Sequence, residues 1–369
     1  MSPLTRRTLL RAGAAGSLAA AGAGCAFVPR RVPAGAAAGP PVIRPEPDGD
    51  LHYFNWANYI DPALLTGFSD EYGVEVSETN FDSMEAMIAK IAAGNRYDVV
   101  FPGARWVQRL AAAGELHPLP LQRLAGWRHI YEEFHDPWYD PGSAHSVPYQ
   151  MYMTGIGWRK DKLGELSGSW SDLWHDGARG RVYLLDDRDE VLGAMALLLG
   201  FDLNETGPGR LDRIAAKART LRPRLRGFSS DDQSNMLNGS AWLHHMWSGD
   251  FLQAVRAGGD PGRFGFQTCR EGIPVNSDCF AVPRGARHPG TALLFIDYML
   301  RPDNAVRNMR YIGYPQPHRA TEEVFREISA GFPQLRISPA ELAFGHQYRN
   351  PTLAQTRLRD AAWTAIKAA

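Results

Sequence analysis

Asp186, Asp187, Asp189 and Glu190 crowd into the stretch LLDDRDEV, between an apolar strand and an apolar helix. Local structure alone accounts for them: Asp187 as N-cap with Glu190 three residues on forms a capping box, and both favour the positive end of the helix dipole. The same geometry has a second use, because it places two carboxylates at the C-terminal end of a strand, where open α/β sheets bind ligands. Rings accompany the acids. Trp56, Tyr59, Trp106 and Trp247 fall at or just past the ends of expected strands. A large ring usually fills a core. Several of them beside acids and loops make a surface that holds an alkyl chain and attracts ammonium groups, at about 0.5–2 kcal/mol each. A long, thin cation would use both features.

No catalytic motif stands beside these residues. The chain has no HExxH zinc helix, no GxSxG elbow, no GxxxxGKS/T phosphate loop and no CxxC pair. His244 and His245 are neighbours, so their rings point apart on any regular element, and no third ligand stands near. No metal and no cofactor are expected.

The elements that must position these residues alternate. LHYFNW reads as a strand, and PALLTGFSDEYG as a helix with Leu64, Leu65 and Phe68 at helical spacing and Gly73 as its stop. VEVSETNF, SMEAMIAKIAAGN, YDVVFPG and WVQRLAAAGEL continue as strand, helix, strand and helix. The middle repeats the rhythm with GIGWRK, WSDLW, GRVYLLDD and EVLGAMALLLG, then an amphipathic helix over RLDRIAAKARTLRPRL and a strand running into a helix over AWLHHMWSGDFLQAVRAG. CFAVPRGA is a late strand, two helices broken at Pro302 follow, and LAQTRLRDAAWTAIKAA closes the chain as a helix. This order predicts an α/β fold with ligand chemistry at the strand ends.

The 369 residues suffice for two domains with real cores, and 44% hydrophobic with 22% charged residues is a globular composition. The first residues, with Arg6-Arg7, a short Leu/Ala/Gly run and small residues before Cys25, read as a removable export signal of twin-arginine type over 1–24. Cys25 follows Gly22-Ala23-Gly24 as a lipid-modified cysteine would, and residues 25–48 then form the anchor and a flexible tether. Lys plus Arg equals Asp plus Glu at 40 each, and removal of Arg6, Arg7 and Arg11 leaves a formal charge of −3 with no basic stripe. That excludes nucleic acid as the expected partner. Cys269 and Cys279 remain, and export permits a disulfide between them without fixing one.

From residue 50 onward the pieces YFNWANYI, YDVVFPG, WSDLW, LLDDRDEV, MWSGD, DCFAVP, FIDYMLRPDNA and IGYPQP stand in one order. In these the chain resembles the spermidine/putrescine-binding proteins of bacterial polyamine ABC transporters, a branch of the extracellular solute-binding proteins. The resemblance implies a type II periplasmic-binding-protein-like fold: two α/β lobes, a ligand cleft between them and two crossover segments. Lobe 1 is expected over 49–152 plus 278–322, and lobe 2 over 153–277 plus 323–369. It implies that Trp56 and Tyr59 flank a polyamine chain, that Asp187 and Glu190 hold its amines, and that Trp247 stacks on it. It further implies that Asp278 anchors the far end and that Gln347 is a polar cleft residue. The implied protein is a monomeric receptor, not an enzyme. It lies in the periplasm or on the outer face of the cell membrane, held through a lipid anchor only, and hands a polyamine to a permease.

Two departures bear on the ligand. Gly103, Ala104 and Arg105 follow VVFP where the family has small hydroxyl and aromatic residues, and Asn276 stands near the place of a tryptophan. An arginine facing a cation in a closed cleft costs several kcal/mol unless it turns away or pairs with an acid. A ligand shorter than spermidine is one consequence. An amino-acid derivative or anion paired with Arg105 is an alternative. A secreted carbohydrate-active hydrolase, with Asp187 or Glu190 and Asp278 as its acid/base pair, is a further one that predicts turnover.

Overall fold

Strand β1 (Leu51–Asn55) is buried on both faces, which is why it reads as an apolar run and not as an alternation. It lies between two parallel neighbours, β2 (Val76–Asn80) and β3 (Val99–Val100). Helix α1 (Pro62–Tyr72) joins β1 to β2. Asp61 caps it by accepting from the Ala63 amide at 2.9 Å, and Gly73 ends it at φ 66°, a backbone that strains any residue with a Cβ. Helices α2 (Met84–Ala92) and α3 (Ala104–Ala112) follow β2 and β3. The computed structural model describes residues 43–81, 83–336, 338 and 345–368. The export signal, Cys25 and most of the expected tether lie outside these residues. The tether's last residues do not behave as a linker. Asp48 accepts from the Gly290 and Thr291 amides at 2.9 Å each, and Ile43 packs on the core.

Strand β4 (Ser146–Arg159) is 14 residues long and belongs to both halves of the molecule. Residues 146–153 pair antiparallel with β9 (Pro274–Ala281), and residues 154–159 pair with β7 (Leu243–Trp247) and β8 (Phe264–Gln267). With β5 (Val182–Leu184), β6 (Leu225–Phe228) and β10 (His346–Gln347), the strand order is β2-β1-β3-β9-β4-β7-β5-β6, with β8 on β4 and β10 on β9. The sequence expectation caught only the second half of β4 and the end of β9. In the second lobe, α4 (Lys160–Leu163), α5 (Arg188–Leu198), α7 (Asp232–Leu237) and α8 (Ser248–Gly258) follow β4, β5, β6 and β7, and α6 (Pro208–Arg219) lies between α5 and β6. In the first, α9 (Pro289–Met299) and α10 (Pro302–Ile312) cover the sheet; α11 (Glu322–Ile328), beyond the crossover after α10, packs back on α10. The final helix, α12 (Leu353–Lys367), returns to pack on α6 and α5.

The cores explain why the permitted disulfide does not form. Cys269 packs with Trp170, Leu184 and Leu197 in the second lobe, whereas Cys279 packs with Phe54, Met87 and Val107 in the first. Both are free, buried thiols. Cys279 donates to the Tyr139 hydroxyl at 3.6 Å, and burial pushes its thiol up to about 12.

Candidate ligand-binding site

Asp278 sits within β9, opposite Gln150 of β4. The turn after β1 brings Tyr59 to it: Asn58 adopts φ 57°, a left-handed turn that asparagine tolerates. The Tyr59 hydroxyl donates to Asp278 Oδ2 at 2.7 Å, and Gln150 Nε2 donates to the same oxygen at 3.2 Å and to the Tyr59 hydroxyl. Gln150 Oε1 is buried with no protein partner among the described residues, so an acceptor remains for a ligand N–H. The Tyr59 ring packs against Tyr149 and Tyr314, at 5.5 and 6.0 Å between centroids. Burial pushes the Asp278 carboxyl up to about 6, against the hydrogen bonds from Tyr59 and Gln150.

The second acidic centre is built at the start of α5. Asp187 caps the helix as expected, accepting from the Asp189 and Glu190 amides at 2.8 and 3.0 Å. Glu190 does not complete the expected capping box. It accepts instead from the Tyr348 hydroxyl at 2.7 Å and from Trp247 Nε1 at 3.4 Å. Burial, and next the Asp187 charge, push the Glu190 carboxyl up to about 7. Asp187 is raised as well, by burial and then by Asp189.

One phenol feels the charge of both centres. Tyr152, on β4, accepts from Asn276 Nδ2 at 2.8 Å. Its ionisation is opposed by burial and then by the charges of Asp278, Glu190 and Asp187 together. A further pair of acids lies beside Trp247. Asp232 and Asp250 are both raised, chiefly by burial; Trp247 N donates to Asp232 at 3.3 Å and Gln233 Nε2 to Asp250 at 2.8 Å. Tyr314, whose ring touches Tyr59, also bonds to Asp250.

The remaining expected residues scatter. Trp56 packs on Phe81, with centroids 4.6 Å apart, and Trp106 is a core ring under Arg109. Gln347 accepts from Trp138 Nε1, while the next residue, Tyr348, is the one that reaches Glu190. His244 stacks on Tyr183, and burial drives it down to about 4, so it stays neutral in the sheet. Arg105 pairs with Asp189, which also accepts from Arg188 at 2.9 Å and Arg359 at 3.1 Å. Burial works against the Asp189 charge, but Arg105, Arg188 and Arg359 hold its carboxyl well below the usual range. The arginine that would oppose a cation is therefore answered by an acid from the other lobe. Tyr152, Gln150 and Tyr348 are the site residues that sequence reasoning missed. Their one signal was their place in the aromatic stretches YQMYM and GHQYRN.

The description of the matching family, bacterial extracellular solute-binding protein, applies over residues 63–324. The chain belongs to this family. As a member of a family of solute-binding proteins it is a receptor and not an enzyme. It is 30% identical over 337 residues to a putrescine/cadaverine-binding protein of Pseudomonas aeruginosa, covering 86% of this chain and 93% of that one. It is 28% identical over 322 residues to the spermidine/putrescine-binding periplasmic protein of Escherichia coli, covering 86% and 91%. Among solved structures, the spermidine/putrescine ABC transporter substrate-binding protein PotD from Streptococcus pneumoniae superposes with a TM-score of 0.75 at 27% identity, over 87% of this chain and 99% of that one.

Proposed function

We propose that this solute-binding protein is exported, captures a polyamine such as putrescine or spermidine, and delivers it to an ABC-transporter permease. The observation that carries the reading is the pair of buried acids held by ring donors, Asp278 by the Tyr59 hydroxyl and Gln150, and Glu190 by the Tyr348 hydroxyl and Trp247 Nε1. Buried carboxylates whose protons are held up by burial gain most from a ligand that brings positive charge. Tyr59 and Trp247 line the same acids with ring surface. The names of the relatives support the same ligand class. Asn276 is spent on Tyr152 where the resemblance has a ring, which supports a diamine over a longer chain.

The reading extends to a lobe 1 of residues 49–152 with 278–322 and a lobe 2 of residues 153–277 with 323–369. The change of β4 partners after Met153 supports that division. Cys25 as the lipid attachment, a twin-arginine signal and a monomeric receptor complete it. Calorimetry of the mature chain with putrescine and spermidine tests the ligand. Each charge-assisted contact contributes about 1.5–3 kcal/mol, so Asp278→Asn and Glu190→Gln should each weaken binding at least about tenfold. Unchanged affinity in both variants would refute the site.

A further inference from the structure

A cavity of about 180 Å³ lies beside the Arg105–Asp189 pair; Tyr152 and Asp278 are not among its lining residues, and Tyr348 stands between it and Glu190. Arg105, Arg349, Arg359, Asp189, Thr206 and Asn350 line it. Arg105 comes from α3 of the first lobe and Arg359 from α12 of the second, so the cavity sits on the seam. At about 30 Å³ per liquid water, it has room for one small ion and several waters.

Its electrostatics are unbalanced. Three guanidinium groups face one lining carboxylate, Asp189, which divides its charge among Arg105, Arg188 and Arg359; Asp187 supports Arg105 from outside the lining, and Asp360 shares Arg188. Donors are left over. Arg105 bonds to Asp189 through Nη1 alone, and Arg359 spends Nε on Asp189 and Nη1 on the Glu205 carbonyl. Arg349 has no carboxylate partner among the described residues and lies 3.8 Å above the Trp138 ring centre. Arg359 is only 4% exposed, and a desolvated cation of that kind needs more negative charge than a shared carboxylate supplies. A tetrahedral oxyanion accepts from several guanidinium forks at once, which chloride or a water cannot match.

We propose that this seam cavity binds a small oxyanion of sulfate or phosphate size, as a second ligand distinct from the transported solute. An anion held by Arg105 on one side and Arg349 and Arg359 on the other ties the lobes together. By linkage it should strengthen solute binding by the same factor by which the solute strengthens its own. That coupling rests on the polyamine reading; occupancy of the cavity does not. The test is therefore thermal unfolding and tryptophan fluorescence of the mature chain with no polyamine present, titrated with sodium sulfate and sodium phosphate against sodium chloride at constant ionic strength. A saturable Tm rise of roughly 2–5 °C is expected, with a saturable change in the emission of the Trp138 region. Arg349→Gln should abolish both saturable components. Sulfate also stabilises proteins by exclusion from their surface, but that effect grows without saturation. No rise, a purely linear rise, or a saturable one that survives Arg349→Gln would overturn the proposal.

Discussion

Loading the cleft with a polyamine should expel protons. Burial holds Glu190 up at about 7 and Asp278 up at about 6, so at pH 6.5 about three-quarters of the first and about a quarter of the second carry a proton. A cationic ligand binds the ionised forms. Roughly one proton per ligand therefore leaves at that pH. Between pH 8 and 5.5 the ionised fraction of Glu190 falls about 30-fold and that of Asp278 about 4-fold, so affinity should drop by about two decades, or ~2.8 kcal/mol. Calorimetry at pH 6.5 in two buffers of different ionisation enthalpy reads the proton count, and a pH series reads the affinity. Glu190→Gln should remove the steeper step and leave the shallower one. The empty receptor should respond in the opposite sense. Acids raised from 4.5 and 3.8 hold more protons folded than unfolded across that window. Their contribution to stability is thus complete below the unfolded values and lost as pH rises through about 6 and 7. A flat affinity from pH 8 to 5.5 with no proton release would refute the assignment of these acids to the ligand.

Two further outcomes follow from single contacts. Asp189→Asn leaves Arg105 without its cross-lobe acid and beside Asp187, so putrescine affinity should fall at least about tenfold; the double variant Arg105→Gln/Asp189→Asn should recover most of it in the same titration. Asp48 bonds both the Gly290 and Thr291 amides at the start of α9, so Asp48→Ala should cost about 1–2 kcal/mol in urea unfolding without altering solute affinity.

What the sequence disclosed of this site were the local arrangements. Asp187 capping α5, and Trp247 closing β7, both follow from residue types within a few positions of each other. What it withheld were partners set by strand pairing. Gln150 and Tyr152 lie in a half of β4 whose residues are nearly all buried, so no alternation marked the strand. Gln347 came only from the resemblance at GHQYRN, and the contact of the next residue, Tyr348, with Glu190 joins positions 158 apart, which no local pattern reports. The Arg105–Asp189 pair joins positions in different lobes, and no spacing rule reaches that far. Asp48 read as linker because its helix lies near the other end of the chain.

The shared ladder of β4 and β9 also governs when the molecule can exist at all. Val100 on β3 pairs with Ala281 on β9, and β9 in turn pairs with β4. As the chain emerges from the ribosome, the first-lobe sheet stays open at β3 until most of the second lobe has been made. Neither lobe can close early, and the contacts that complete the fold are among the most distant in sequence, which makes folding slow and leaves an apolar strand edge exposed in the meantime. The chain must therefore be kept from aggregating through most of its own synthesis.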